Sequence, residues 1–181
     1  MVKNGDNMKK FMNSKLSNIL FTIFIAFIVV FVIKTYILET QFLKTSNMSP
    51  ALNSGDFLLI NKLNKVTGYI KNTDIVEYYD EKNSKICIAR VIAKPKDSVE
   101  IINDDIFING KKIYEPYILL QQSKKLNNNK WVLDDDEYFV INDDREHGSY
   151  NDSRYIGPIK KDYILGVVFF RLYPVDKIGS I

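Results

Sequence analysis

Eighteen consecutive residues without a charge, Leu16–Ile33 (LSNILFTIFIAFIVVFVI), constrain what this chain folds into more than any other feature. With the Lys34 side chain snorkelling away from the apolar zone, the stretch runs on to Leu38 and gives about 30 Å of helix, enough to cross a bilayer. A cleaved export signal would have a shorter apolar core, about 7–15 residues, followed by a small-x-small site. The segment that follows here, KTYILETQF, has no such site. Lys3, Lys9, Lys10 and Lys15 precede the run, so the positive-inside rule leaves the N-terminus in the cytoplasm and carries everything beyond the helix across the cell membrane. The expected organisation is a cytoplasmic segment (1–15), a single transmembrane helix (16–37) and an extracytoplasmic domain (38–181).

The chain has 181 residues, of which 46% are hydrophobic and 26% charged, which is room for one globular domain with a proper core besides the helix. Residues 1–34 hold five lysines against Asp6, and the remainder holds 20 basic and 21 acidic residues, so the domain is close to neutral and presents no nucleic-acid surface. Cys87 is the one cysteine, which excludes an internal disulfide and a cysteine metal cluster, and its expected place is in the core. No cofactor is expected. Beyond the helix, short runs rich in β-branched and aromatic residues alternate with turn signals: DFLLINKL, DIVEYY, KICIARVIA, SVEIIN, DIFING, EYFVIN and YILGVVFFRLYP. No amphipathic helix of a dozen residues separates them, so the pattern predicts a mainly β, antiparallel domain. Asn109-Gly110 marks a hairpin turn between two strands. The polar stretch QQSKKLNNNK (121–130) reads as a surface loop or inserted hairpin.

An N-terminal apolar helix followed by NMSPALNSGD (47–56) resembles the nucleophile box of type I signal peptidases in their short, single-span bacterial form. NTDIVEYY, ICIARVIAKPKDSVEI, INGKKIYEPYI, EYFVINDDR, NDSRYIG and FRLYPVDKIG match the family's remaining landmarks in order. Ordered matches over most of the chain are far more specific than any one motif. The resemblance implies a signal-peptidase-type β domain behind a membrane helix. It also implies hydrolysis of exported preproteins by a serine nucleophile with a lysine general base, the lysine being depressed in pKa by burial.

Carried over position by position, the nucleophile stands at Asn47, the base at Ala89 and the residue linked to the oxyanion hole at Thr45. An amide and a methyl supply neither the hydroxyl nor the amine of the Ser/Lys pair. The position of the serine that steadies the lysine is Tyr150, REHGSYND is two residues longer than the usual pattern, and a glycine has become Asn142. The scaffold positions remain: Met48 and Pro50 toward substrate, and Gly55, Asp56, Arg90, Asp143, Arg145, Asp152, Ser153 and Arg154 as structural motif. These departures predict a homologue that is not an enzyme and that binds signal peptides of exported preproteins, or assists an active signal peptidase, with no metal. Cleavage by a non-standard nucleophile and a structural membrane partner with a closed cleft are the alternatives. Lys44 and Ser46 read as a pair on the strand face away from Asn47, Cys87 as sharing the face of Ala89, and His147 as a solvated loop residue. NDDRE and LDDDE lack the ligand periodicity of a calcium loop and read as turns.

Overall fold

The computed structural model describes residues 3–103, 105–118, 129–145 and 151–181, with side chains from residue 15 onward except at 65 and 66. It forms two compact units, Met1–Ile37 and Leu38–Ile181. In the first, helix α1 (Lys3–Val32) passes into a π-helical turn, Ile33–Ile37. Its stretch Lys15–Ile37 has 23 residues with mean hydropathy 2.8, and none of its most apolar window is buried by the rest of the chain. β-branched residues recur through this stretch, and the helix pairs their backbone donors and acceptors within the segment, the arrangement that a segment this apolar would need to cross a membrane.

The second unit is mainly antiparallel β. Its strands are β1 (Leu38–Phe42), β2 (Phe57–Asn61), β3 (Ile75–Asp80), β4 (Lys85–Ala93), β5 (Ser98–Ile102), β6 (Asp105–Ile108), β7 (Lys111–Lys112), β8 (Asn129–Val132), β9 (Glu137–Ile141), β10 (Ile159–Lys160), β11 (Ile164–Tyr173) and β12 (Gly179–Ser180). Helices α2 (Leu63–Thr67) and α3 (Ser153–Ile156) are single turns. Among the described residues the larger sheet runs β1-β2-β11-β3-β4-β9-β10, with β12 on β11, and the smaller runs β7-β6-β5-β8.

Alternation along the strands sends side chains to two faces of the larger sheet. Leu58, Ile60, Ile75, Ile88 and Val168 form one apolar cluster with Leu43, Met48 and Leu52 from the segment between β1 and β2. Val76, Tyr78, Cys87, Ala89, Val91, Tyr138 and Val140 belong to a second. The register of β4 on β9 slips between Val91 and Ala93, and beyond the slip Ile92 and Ala93 join Phe139 and Ile141 in a third cluster against the smaller sheet. Because β4 serves all three, it is buried without a break from Cys87 to Ala93, which explains its nearly continuous apolar sequence.

The β6–β7 hairpin closes through Asn109 (φ 52°) and Gly110 (φ 76°), with Ile108 facing Lys111. Two positive φ angles define a type I′ turn, and Asn-Gly suits them at little steric cost. At the end of the polar stretch, expected as a surface loop or an inserted hairpin, Asn129 and Lys130 open β8, paired to Ile101 and Glu100. Residues 121–128 of that stretch lie outside the described residues.

Candidate active site

The NMSPALNSGD segment forms a turn rather than a strand. β1 ends at Phe42, residues 43–46 are irregular, and Asn47 opens a run of turns at 47–51. The strand alternation expected for Lys44, Ser46 and Asn47 therefore does not apply, and Lys44, Thr45 and Ser46 are all exposed. Short-range bonds shape the turn: the Ser49 amide donates to the Ser46 carbonyl (2.9 Å) and the Leu52 amide to the Met48 carbonyl (2.8 Å). Pro50 is exposed, and the Ser49–Pro50 peptide is cis. Met48, 1% exposed, is the side chain that plugs the turn into the cluster of Ile75 and Ile88.

Gly55 closes the loop at φ 97°, where an L side chain is strained, and its amide reaches back to the Leu43 carbonyl at 2.8 Å. The next residue, Asp56, accepts from the Asn53 amide (3.1 Å) and lies 3.1 Å from the Arg171 guanidinium, which also donates to the Ala51 carbonyl. Arg171 on β11 thus fixes the turn from across the sheet. Sequence reading missed it; the signal available was the FRLYP segment, taken as a landmark without a role for its arginine.

The base position is on β4. Ala89 is fully buried, in register with Val76, and packs in the cluster of Tyr78, Val91 and Val140. Its neighbour Ile88 points the opposite way, toward Met48. The two departed positions are linked through the segment after β9: the Asp144 amide donates to the Asn47 carbonyl (2.9 Å), and Asp143 holds Arg90, the residue after Ala89.

That segment is densely tied. Arg90 meets Asp143 through Nε (2.8 Å) and a terminal nitrogen (2.5 Å), donates to the Thr73 carbonyl (2.8 Å) and stacks 4.1 Å from the Tyr117 ring centre. Such a bidentate, buried pair supplies geometry as much as energy. Arg145 bonds the Asn142 carbonyl (2.8 Å) and Glu115 (2.5 Å), which in turn accepts from the Tyr117 hydroxyl (2.8 Å). Asp152 caps α3: its Oδ1 accepts from the Arg154 amide (3.1 Å), and its Oδ2 accepts both from an Arg154 terminal nitrogen (2.7 Å) and from the Asn142 amide (3.0 Å). Ser153 is buried, and its hydroxyl accepts from the Val140 amide at 2.9 Å. Tyr150 and His147 lie outside the described residues.

Cys87 shares the cluster of Ala89, and the Asn151 side-chain amide donates to its sulfur at 2.9 Å. Burial pushes its thiol pKa up, against the weaker opposing pull of that bond, so the neutral thiol dominates near pH 7. This is the opposite of an activated nucleophile.

A mainly antiparallel β unit, a Met-plugged turn after its first strand and an Arg–Asp-tied segment beside it, all behind an apolar N-terminal helix, define a signal-peptidase-type protein. The chain belongs to the family described as signal peptidase, peptidase S26, which it matches over residues 16–173. It is 31% identical over 164 residues to signal peptidase I P of Bacillus subtilis subsp. natto, covering 86% of this chain and 88% of that protein. It is 30% identical over 182 aligned positions to signal peptidase IB of Staphylococcus aureus, covering 92% and 94%. A solved signal peptidase I from Enterococcus faecalis V583 aligns at 24% identity and a TM-score of 0.47, over 54% of this chain and 95% of that one.

These relatives overturn the expectation that the chain is not an enzyme. Proteins about 30% identical to it over some nine-tenths of its length are signal peptidases by name. The physical reason for the error is that Asn47 and Ala89 remove one route to hydrolysis, the Ser/Lys pair, and two side-chain identities do not show inactivity.

Proposed function

We propose that this chain is a membrane-anchored member of the signal peptidase family that binds the signal-peptide segments of exported preproteins, with α1 crossing the cell membrane from a cytoplasmic N-terminus. The observation that carries the reading is the edge position of β1. Among the described residues it pairs with β2 alone, which leaves its other edge open, and Leu43 just beyond it belongs to the apolar cluster of Met48 and Ile88. An extended peptide adds to such an edge by main-chain hydrogen bonds, with pockets beside it choosing alternate side chains. Relatives named signal peptidases support the choice of ligand. Hydrolysis of the bound peptide requires a nucleophile other than the Asn47 side chain and a base other than Ala89.

The test uses the full chain in nanodiscs with a fluorescent signal peptide, read by anisotropy, and mass spectrometry of the same samples for product fragments. Saturable binding is expected, weakening at least tenfold when the small residues before the cleavage point are enlarged. Absence of saturable binding at high micromolar peptide overturns the reading.

A further inference from the structure

Asn72 and Thr73, just before β3, and the chain around the β6–β7 hairpin enclose a cavity of about 270 Å³ that is open to solvent. Its walls are aliphatic: Val91 and Ile92 from β4, Ile108 at the end of β6, and Ile113. Two tyrosines stand with them. Tyr117 is half-buried against Arg90, whereas Tyr114 is 88% exposed and left almost bare by the described residues. None of the lining residues carries a charge. Small-molecule sites run to roughly 300–1,000 Å³, so a cavity of this size has room for one large side chain rather than for a cofactor.

Thr73 joins this cavity to the turn of Asn47. Its φ is 74°, a region that β-branched residues rarely enter. Two bonds hold it there: its amide donates to the Val91 carbonyl (2.8 Å), and its carbonyl accepts from Arg90 Nη1 (2.8 Å). The same guanidinium grips Asp143, and the following residue, Asp144, donates its amide to the Asn47 carbonyl. Turn and cavity therefore flank one buried arginine–aspartate pair, the turn on the side reached from β1 and the cavity on the other. Such a separation, on the order of 10–15 Å, is spanned by about four extended residues.

We propose that this cavity is a side-chain subsite for the preprotein: it takes one uncharged, apolar or aromatic side chain from the first few residues that follow the signal-peptide segment. The inference rests on the reading that such a segment docks along β1. A peptide lying there reaches the Asn47 turn and continues past the Arg90–Asp143 pair, which brings its next residues to the cavity. An aromatic side chain seated between the aliphatic walls covers Tyr114 and meets its ring, a contact worth more than the buried area alone. A charged side chain finds no partner among the lining residues and loses its hydration, so the subsite selects against it.

The experiment follows isoleucine methyl groups by NMR in the full chain, labelled and held in nanodiscs: Ile75 and Ile88 report the face of the Met48 cluster, and Ile92, Ile108 and Ile113 report the cavity. Two synthetic peptides are titrated, a signal-peptide segment ending at the cleavage point and the same segment extended by about five residues, one of them phenylalanine. The short peptide should shift Ile75 and Ile88 alone. The extended one should shift both groups and bind about fivefold more tightly, and replacing its phenylalanine by aspartate should abolish the gain together with the cavity shifts. Ile113→Trp, which fills the cavity, should bring the extended peptide down to the affinity of the short one. Tyr114→Ala, at an exposed position, should reduce the gain severalfold and decides alone if Ile113→Trp fails to fold. Shifts at Ile75 and Ile88 without any at Ile92, Ile108 and Ile113 overturn the subsite and leave docking along β1 standing. So does equal affinity for the phenylalanine and aspartate peptides. Shifts in neither group overturn both.

Discussion

At the scale of single residues, Glu77 on β3, buried with neither carboxylate oxygen hydrogen-bonded, shows how one side chain sets a bulk property. Its pKa is higher in the folded chain, about 7, than the ordinary value of 4.5, so the folded state binds this proton more tightly than the unfolded state. The stabilisation is therefore fully present below about pH 4.5 and is lost as pH rises through 7, an effect on the order of 3 kcal/mol. Glu77→Val removes the titrating group and keeps an apolar side chain between Ile88 and Ile60. Urea unfolding of the full chain in micelles should show the variant more stable than the unsubstituted protein by ~2–3 kcal/mol at pH 8, with the difference much reduced at pH 4.5. Equal stability gaps at both pH values would contradict this account. Nothing in DIVEYY signals this behaviour: period-two alternation places Glu77 opposite Val76, as on a half-solvated strand, whereas the face of its neighbour Ile75 is covered by an apolar cluster that draws Met48 and Leu52 from a separate segment.

At the scale of elements, β11 holds the larger sheet together, lying between β2 and β3 and carrying β12 near its end. Its tightest point is Gly166, where an added Cβ would lie 2.6 Å from Ile60 Cγ2 and 2.8 Å from the Asn61 carbonyl oxygen. Part of that obstacle is backbone and cannot rotate away. Gly166→Ala should therefore destabilise the domain by ~1–3 kcal/mol despite the better strand propensity of alanine, seen as a lowered urea midpoint. A neutral or stabilising result would mean that β2 and β11 separate more easily than their register implies. The strands YILGVVFFRLYP, KICIARVIA and EYFVIN were legible as strands because period and composition are local properties. β1, β8 and the two-residue strands were not, since LETQF and NKWV are short and half polar, and only their partners make them strands.

At the scale of the whole molecule, the single apolar helix and the β unit make a topological expectation testable. Protease added to cells stripped of their wall should degrade the domain from Leu38 onward and leave the segment around Lys9, Lys10 and Lys15 protected, as read by terminal epitope tags. Protection of the domain with loss of the N-terminal tag would reverse the orientation. By itself the sequence determined the apolar helix, the antiparallel class, the Asn109-Gly110 turn and the family, because hydropathy, alternation and ordered motifs are written along the chain. Only the tertiary structure decided that Asn47 stands on a turn, that Ile88 and Ala89 face different cores, that Arg171 reaches back to Asp56 and Ala51, and that Glu77 is shut away with neither carboxylate oxygen hydrogen-bonded. Those facts depend on register and sheet packing between residues as far as 120 positions apart, and no local pattern encodes which side chain a distant strand will bring opposite another.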